Sequence, residues 1–157
     1  MPTADSNETA SYHGLFRHGV DEKRRTQIPA KWRPANLETE FTMIRWPNKS
    51  HPGSHILVLA PAAARAMTEK LKGMSLSEEE PAALRRFIGA NSANVAVDKA
   101  GRMLIPENIA SLAEIEINSE AVLVGLVDKG FEIWNPKLFK ASEQVDAVHQ
   151  QAALDLL

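Results

Sequence analysis

Two segments of the chain place an arginine four residues after an aspartate, a spacing suited to a tight charged turn. The first runs from Asp21 to Arg25 and the second from Asp98 to Arg102. In a hairpin, an aspartate accepts hydrogen bonds from backbone N–H groups of the turn, and the arginine folds back onto its carboxylate. The pattern predicts two rigid tips, with Asp21 and Asp98 as structural turn residues and Gly101 supplying a positive φ.

The first turn also carries three consecutive cations, Lys23, Arg24 and Arg25. Along a turn and a strand they project in more than one direction, so at least one faces outward. A cationic hairpin tip can enter the major groove and reach guanine O6 and N7 and the flanking phosphates. We therefore predict DNA contact by Lys23, Arg24 and Arg25. For Arg102, whose neighbours add little charge, a second DNA contact and a purely structural staple both stay open.

The charge distribution agrees with an anion-binding region near the first turn. The net charge is −2, yet residues 1–105 carry 15 Lys/Arg and 11 Asp/Glu, whereas residues 106–157 carry 3 and 9. The stretch 11–35 is the most basic of the chain. A polyanion site on one edge would explain this asymmetry, and a solvated turn is the alternative.

Other residue patterns give no case for an enzyme. The chain of 157 residues has no cysteine, which excludes disulfides, thiol nucleophiles and Cys-ligated metals. His51 and His55 share a segment at a spacing of four, but Pro52 and Gly53 separate them and no third ligand is evident. A solvated loop is the default interpretation, and neither a metal nor a cofactor is predicted. No apolar run is long enough for a membrane helix, and the polar N-terminus lacks a secretory signal.

An internal repeat organises the chain. Val20–Pro29 reappears as Val97–Pro106 at an offset of 77, with Val, Asp, Arg, Ile and Pro in register. Ile56–Pro61 is echoed by Phe131–Pro136. Each copy reads as strand, charged turn, strand, short helix, strand, strand and helix. The predicted divisions are a disordered tail at 1–10, a first repeat at 11–75, a second repeat with its leading helix at 76–143, and the end of a C-terminal helix at 144–157.

Local signals place the elements within each copy. Hairpins are predicted around residues 98–101 and 128–130, and helices from Pro61 to Leu71 and from Pro136 onward. Pro106 is expected at the first position of a short helix. Ser77 is expected to open another helix through a capping box. The last helix has an apolar stripe typical of a core or subunit contact, formed by Leu138, Val145, Val148, Ala152 and Leu156.

The two Asp-x-x-x-Arg turns, each followed by Ile-Pro, resemble the MraZ family of bacterial transcriptional regulators. The likeness begins at Tyr12 and extends to the final helix, about 140 residues. It is strongest over Asp98–Pro106, and Val124-Gly125 with Glu132-Ile133-Trp134 matches the hairpin that follows. The resemblance implies a mainly β fold with helices (α+β), in which two tandem AbrB/MraZ-type repeats form a double-psi or swapped-hairpin β-barrel.

The resemblance also implies a function. It implies a ring-shaped homo-oligomer, here expected to exceed four subunits, that binds short direct repeats of double-stranded DNA in its own promoter, at the head of the division and cell-wall gene cluster. Arg25 matches the family's turn arginine, which is tied to DNA binding, and Lys23 matches the family's lysine in the same turn. Arg24 departs from the pattern, because it stands where the family has glycine. If its φ is positive, it costs roughly 1 kcal/mol.

The prediction is therefore a cytoplasmic, nucleoid-associated DNA-binding regulator without a cofactor and without membrane contact. Three alternatives stay open. One is an AbrB-like antitoxin that represses its own operon, although such antitoxins usually build the barrel from two chains. Another is a ring-forming scaffold that has a different DNA target or none. The third is a hydrolase that uses the loop with His51 and His55.

Overall fold

The computed structural model describes residues 10–157, so nearly all of the predicted N-terminal tail lies outside the described part. Within these residues there are eight strands, four α-helices and one 3₁₀ helix. The strands are β1 Leu15–Val20, β2 Arg25–Gln27, β3 Glu40–Pro47, β4 Ser54–Leu59, β5 Ser92–Ala96, β6 Arg102–Leu104, β7 Ser119–Gly125 and β8 Gly130–Trp134. The helices are the 3₁₀ helix Ala30–Trp32, α1 Pro61–Lys72, α2 Glu79–Ala90, α3 Glu107–Leu112 and α4 Pro136–Leu154.

All eight strands belong to one antiparallel sheet in the order β5-β3-β4-β8-β7-β1-β2-β6. Its two edge strands meet through a bridge between Val97 and Met103, which closes the sheet into a barrel. The first strand of each half pairs with the third strand of the other half, β1 with β7 and β5 with β3. The predicted α+β swapped-hairpin barrel is therefore confirmed, whereas the boundaries at 11–75, 76–143 and 144–157 stay a prediction.

Alternation along the strands fills the barrel, because successive side chains point to opposite faces. Aromatic rings from both halves occupy the centre. Trp32 stacks on Phe131 with 5.0 Å between ring centroids, and Tyr12 and Phe41 pack around this pair. A smaller cluster, formed by Ile44, Leu59 and Ile88, holds α1 and α2 against the outer side of β3 and β4. The core is thus shared between the repeats.

The predicted hairpins and helices are present, with two corrections at helix starts. Helix α2 begins at Glu79 with Glu78 as its N-cap and without a side-chain cap. Ser77 is not the cap, because its hydroxyl lies 2.9 Å from that of Ser75 and the helix starts one residue later than expected. Pro106 is the N-cap of α3 and not its first helical residue.

Helix α4 begins as expected at Pro136. The Asn135 side chain caps it by accepting hydrogen bonds from the backbone N–H groups of Lys137 and Leu138. Its distal half extends into solvent, where Val148 is 79% exposed and Leu156, just beyond the helix, is 87% exposed. Part of the predicted apolar stripe is thus uncovered in the single chain. Within residues 10–157, none of the helices has the length and hydropathy needed to cross a membrane.

Candidate nucleic-acid interface

The first charged turn is closed by its aspartate. One carboxylate oxygen of Asp21 accepts hydrogen bonds from the backbone N–H groups of Lys23 and Arg25, both at 2.9 Å. The other accepts from Nε of Arg25 at 2.8 Å. The backbone N–H of Arg24 donates to the Asp21 carbonyl at 3.0 Å. The Arg25 guanidinium is therefore fixed through Nε, and its two terminal nitrogens remain available for other acceptors.

The second turn repeats this geometry. Asp98 accepts from the N–H groups of Ala100 at 2.9 Å and Arg102 at 2.8 Å, and Nε of Arg102 donates to it at 3.1 Å. The residue before each arginine has a positive φ, +60° for Arg24 and +82° for Gly101. Arg24 thus adopts the left-handed conformation that its alignment with Gly101 implied.

These hydrogen bonds favour the ionised carboxylates. The hydrogen bond from the backbone N–H of Arg25 is the main cause that lowers the pKa of Asp21. The backbone N–H of Arg102 lowers the pKa of Asp98 in the same way. Partial desolvation opposes both shifts. Each aspartate therefore stays charged and offsets the arginine that it holds, so the remaining charged residues, which include Glu22 in the first turn, decide the net charge of each turn.

The turns lie at opposite ends of a short two-stranded ribbon made by β2 and β6. Its residue pairs are Arg25 with Leu104, Thr26 with Met103, and Gln27 with Arg102. Thr26 and Met103 point inward and are fully buried. The other four side chains share the outer face, which we call the ribbon face: Arg25, Gln27, Arg102 and Leu104. Along the strands, Arg25 and Arg102 are two residue steps apart, which is about 7 Å.

The ribbon is attached to its neighbouring strands only lightly. Strand β1 pairs with β2 through Val20 and Thr26, and β5 meets β6 through the bridge between Val97 and Met103. The inward residues make both attachments, which leaves the ribbon face open. The structure thus brings two of the predicted DNA-binding residues, Arg25 and Arg102, to one face of the barrel, and Lys23 and Arg24 lie in the turn that precedes Arg25.

One further cation belongs to this surface. Nε of Arg33 donates to the carbonyl of Ile28 at 2.8 Å, and its guanidinium lies where a Cβ at Gly101 would stand. Glycine suits that position, because its φ is in the left-handed region and a Cβ would displace the end of the Arg33 side chain. Arg33 was part of the basic stretch in the sequence, but its place on the second turn depends on the pairing of β2 with β6. Lys99 at the tip of the same turn is exposed.

Each turn therefore carries three cations. The first has Lys23, Arg24 and Arg25, and the second has Lys99, Arg102 and Arg33. Arg24 is partly engaged, since its guanidinium lies 3.5 Å from the exposed carboxylate of Glu107 at the start of α3. The second turn is more basic than its own sequence indicated.

The two histidines lie apart from this surface. His55 is not solvated, because β4 places it under Trp134 with a centroid distance of 4.1 Å. Its Nδ1 lies 2.8 Å from Oδ1 of Asn48 and its Nε2 lies 3.2 Å from Glu132. The interpretation as a solvated loop was therefore wrong for this residue. In the part of the chain that the structure describes, no three His, Asp or Glu side chains are grouped to hold a metal.

Known proteins are similar in sequence to this chain over most of its length. The MraZ protein family model, described as antitoxin-like, matches residues 87–155. A protein of Leuconostoc mesenteroides is 31% identical over 130 residues, which cover 83% of this chain and 85% of that protein. Proteins of Clostridium tetani and Desulfitobacterium hafniense are each 30% identical, and the matches cover 89% and 93% of this chain and 92% and 96% of theirs. All three relatives are named transcriptional regulator MraZ. With this similarity along nearly the whole barrel, the chain belongs to the MraZ family.

Proposed function

We propose that the protein regulates transcription by binding double-stranded DNA in a sequence-specific manner through the ribbon face and its two turns. The carrying observation is the pair of equivalent Asp–Arg turns at the two ends of one ribbon, whose arginines share its outer face. The names of the relatives support the regulatory role. The protein acts in this proposal as a binding module and not as an enzyme.

The two turn arginines read bases in this proposal, and the other cations bind the backbone. Because Nε of Arg25 and of Arg102 is held by an aspartate, each guanidinium presents its terminal nitrogens in a fixed direction. Such a fork matches O6 and N7 of guanine. Lys23 and Lys99 at the tips and Arg24 beside them suit phosphates, which position the protein without reading sequence.

Assembly supplies the affinity that one barrel lacks. The distal half of α4 exposes apolar residues, which supports contacts between copies of the chain, and we propose a ring of more than four subunits. Linked subunits bind a series of direct repeats far more tightly than one subunit binds one repeat. We place these repeats in the protein's own promoter, ahead of the division and cell-wall genes, and the protein in the cytoplasm on the nucleoid.

A second candidate is a ring-forming AbrB-like scaffold or antitoxin with a different DNA target or none. The ion pair of Arg24 with Glu107 favours it, because an acidic side chain beside the first turn repels phosphate. The antitoxin-like description of the family model is compatible with it. The two candidates differ in one property, which is specific affinity for the upstream DNA.

The test is a filter-binding titration on the duplex upstream of the protein's own coding sequence and on a scrambled duplex. Arg25→Ala is expected to weaken specific binding by about 1–3 kcal/mol per engaged subunit. Arg102→Ala, at the equivalent position of the second turn, should weaken specific binding by a comparable amount. Arg65→Ala on α1, away from the ribbon face, is the matched control and should bind like the wild type. Equal affinity of the wild type for both duplexes would favour the scaffold.

The proposed ring is tested separately by light scattering of the wild-type protein. A particle of more than four subunits is expected at micromolar concentration. A stable monomer of 17.3 kDa would refute the ring and with it the contribution of linked subunits to affinity.

A further inference from the structure

The ribbon face has an approximate two-fold symmetry that fails at one pair of positions. The offset of 77 relates Arg25 to Arg102 and Gln27 to Leu104. The axis passes between Thr26 and Met103, which pair in the ribbon and are related by the same offset. The arginines are thus equivalent in type and position, whereas a polar amide on β2 corresponds to an aliphatic side chain on β6.

Leu104 is an apolar side chain in a cationic setting. It is 51% exposed and lies at the last position of β6, directly opposite Arg25. Its neighbours Met103 and Ile105 are buried, so the exposure results from its outward direction and not from a loose strand. Strand residues on the solvent-facing side of a sheet are usually polar, and the equivalent residue Gln27 follows this rule. Leu104 is thus the apolar member of a ribbon face whose other three side chains are polar or charged.

Gln27 is held differently from Leu104. Its side-chain nitrogen donates to the carbonyl of Ala100 at 3.0 Å, which ties the amide to the second turn. The two ends of the ribbon face consequently offer different chemistry. One end combines Arg102 with a tethered amide, and the other combines Arg25 with an exposed aliphatic group.

We infer that Leu104 is a specificity-determining residue that contacts the 5-methyl group of a thymine beside the base bound by Arg25. This inference rests on the proposed function. The thymine methyl is the apolar group that the major groove displays, and that groove is wide enough to admit a two-stranded β-ribbon. Because only one end carries the leucine, the contact gives the barrel a direction on DNA, which a series of repeats in one orientation requires.

The test removes the methyl group from the DNA and the side chain from the protein in turn. The probe is the segment of the upstream duplex that the wild-type protein protects from nuclease digestion. It is synthesised once with thymine and once with uracil in place of thymine. Burial of one methyl group corresponds to about fourfold in affinity per engaged subunit, so the wild type should lose that factor on the uracil duplex. Leu104→Ala should bind the thymine duplex about as weakly and should not distinguish the two duplexes.

Leu76→Ala is the matched control, because this leucine is also exposed but lies between α1 and α2, away from the ribbon. It should retain the wild-type response to uracil. Thermal melting of both variants checks that they fold. If Leu104→Ala keeps the wild-type sensitivity to uracil, or if the wild type has none while binding the upstream duplex specifically, the inference fails and the proposed function stands. If the wild type binds no duplex specifically, the proposed function fails, and the inference fails with it.

Discussion

Replacement of Arg24 by glycine should stabilise the protein slightly and weaken its binding to DNA phosphates. Arg24 has a φ of +60°, in a turn whose counterpart carries Gly101. A residue with a side chain costs about 1 kcal/mol more than glycine in this conformation. The ion pair with Glu107 opposes the gain, but at 3.5 Å and with side chains 34% and 79% exposed it contributes no more than about 0.5 kcal/mol.

The balance predicts that Arg24→Gly raises the free energy of unfolding by about 0.5 kcal/mol. For a chain of this size the melting temperature should rise by about 1–2 °C. Arg24→Ala separates the two contributions, because it loses the ion pair and keeps the left-handed backbone. It should therefore be slightly less stable than the wild type, and less stable than Arg24→Gly by about 1 kcal/mol.

The assays are urea unfolding of the three proteins at one protein concentration and DNA affinity at several salt concentrations. If Arg24 meets a phosphate, both variants should reduce the salt slope by about one unit per engaged subunit. Discrimination between operator and scrambled DNA should remain. Glycine less stable than alanine at position 24 would refute the account of the turn. An unchanged slope with unchanged affinity would show that Arg24 points away from DNA.

Three further substitutions test the structure around the site. Thr26→Val should raise the free energy of unfolding, measured by urea unfolding, by about 1 kcal/mol, because the buried Thr26 hydroxyl has no hydrogen-bond partner. A lower free energy of unfolding in the variant would indicate that the hydroxyl binds a water molecule. Gly130→Ala should lower it by about 3 kcal/mol, since φ is +137° and the new Cβ would collide with the carbonyl oxygen of Val58, and wild-type stability would contradict this contact. The pKa of Asp98 is lowered mainly by the N–H of Arg102, so its stabilising contribution is present above about pH 4 and lost as the pH falls through the folded-state value. Asp98→Asn should therefore show a flatter acid dependence of stability than the wild type, and parallel curves would exclude the carboxylate as a cause.

The local parts of the fold were predictable from the sequence, and the pairing between halves was not. The turns at Asp21 and Asp98 depend on contacts within five residues, so spacing alone indicated them. The pairing of β1 with β7 joins residues about 100 positions apart, as Val20 with Ser119. No local pattern specifies such a pairing, and only the family resemblance implied it.

The same limit applies to the site. The cations of the first turn are consecutive in sequence and were found there. Arg33 reaches the second turn only because β2 pairs with β6. The same pairing places Leu104 opposite Arg25, and the sequence alone does not show this neighbourhood. The burial of His55 likewise follows from the position of β4 between β3 and β8. The error at Ser77 was a local one: the helix begins at Glu79, so the N-cap residue is Glu78 and not Ser77.

The interleaved strand order has a consequence for limited proteolysis. The exposed connection at 73–78 between α1 and α2 is a natural cleavage site. Four ladders join the fragments on either side of it: β1 with β7, β2 with β6, β3 with β5, and β4 with β8. A nicked protein should therefore stay associated and elute as one species until denatured. Either fragment alone would expose unpaired strand edges, so we expect separately produced fragments to be insoluble and to restore the barrel only when refolded together.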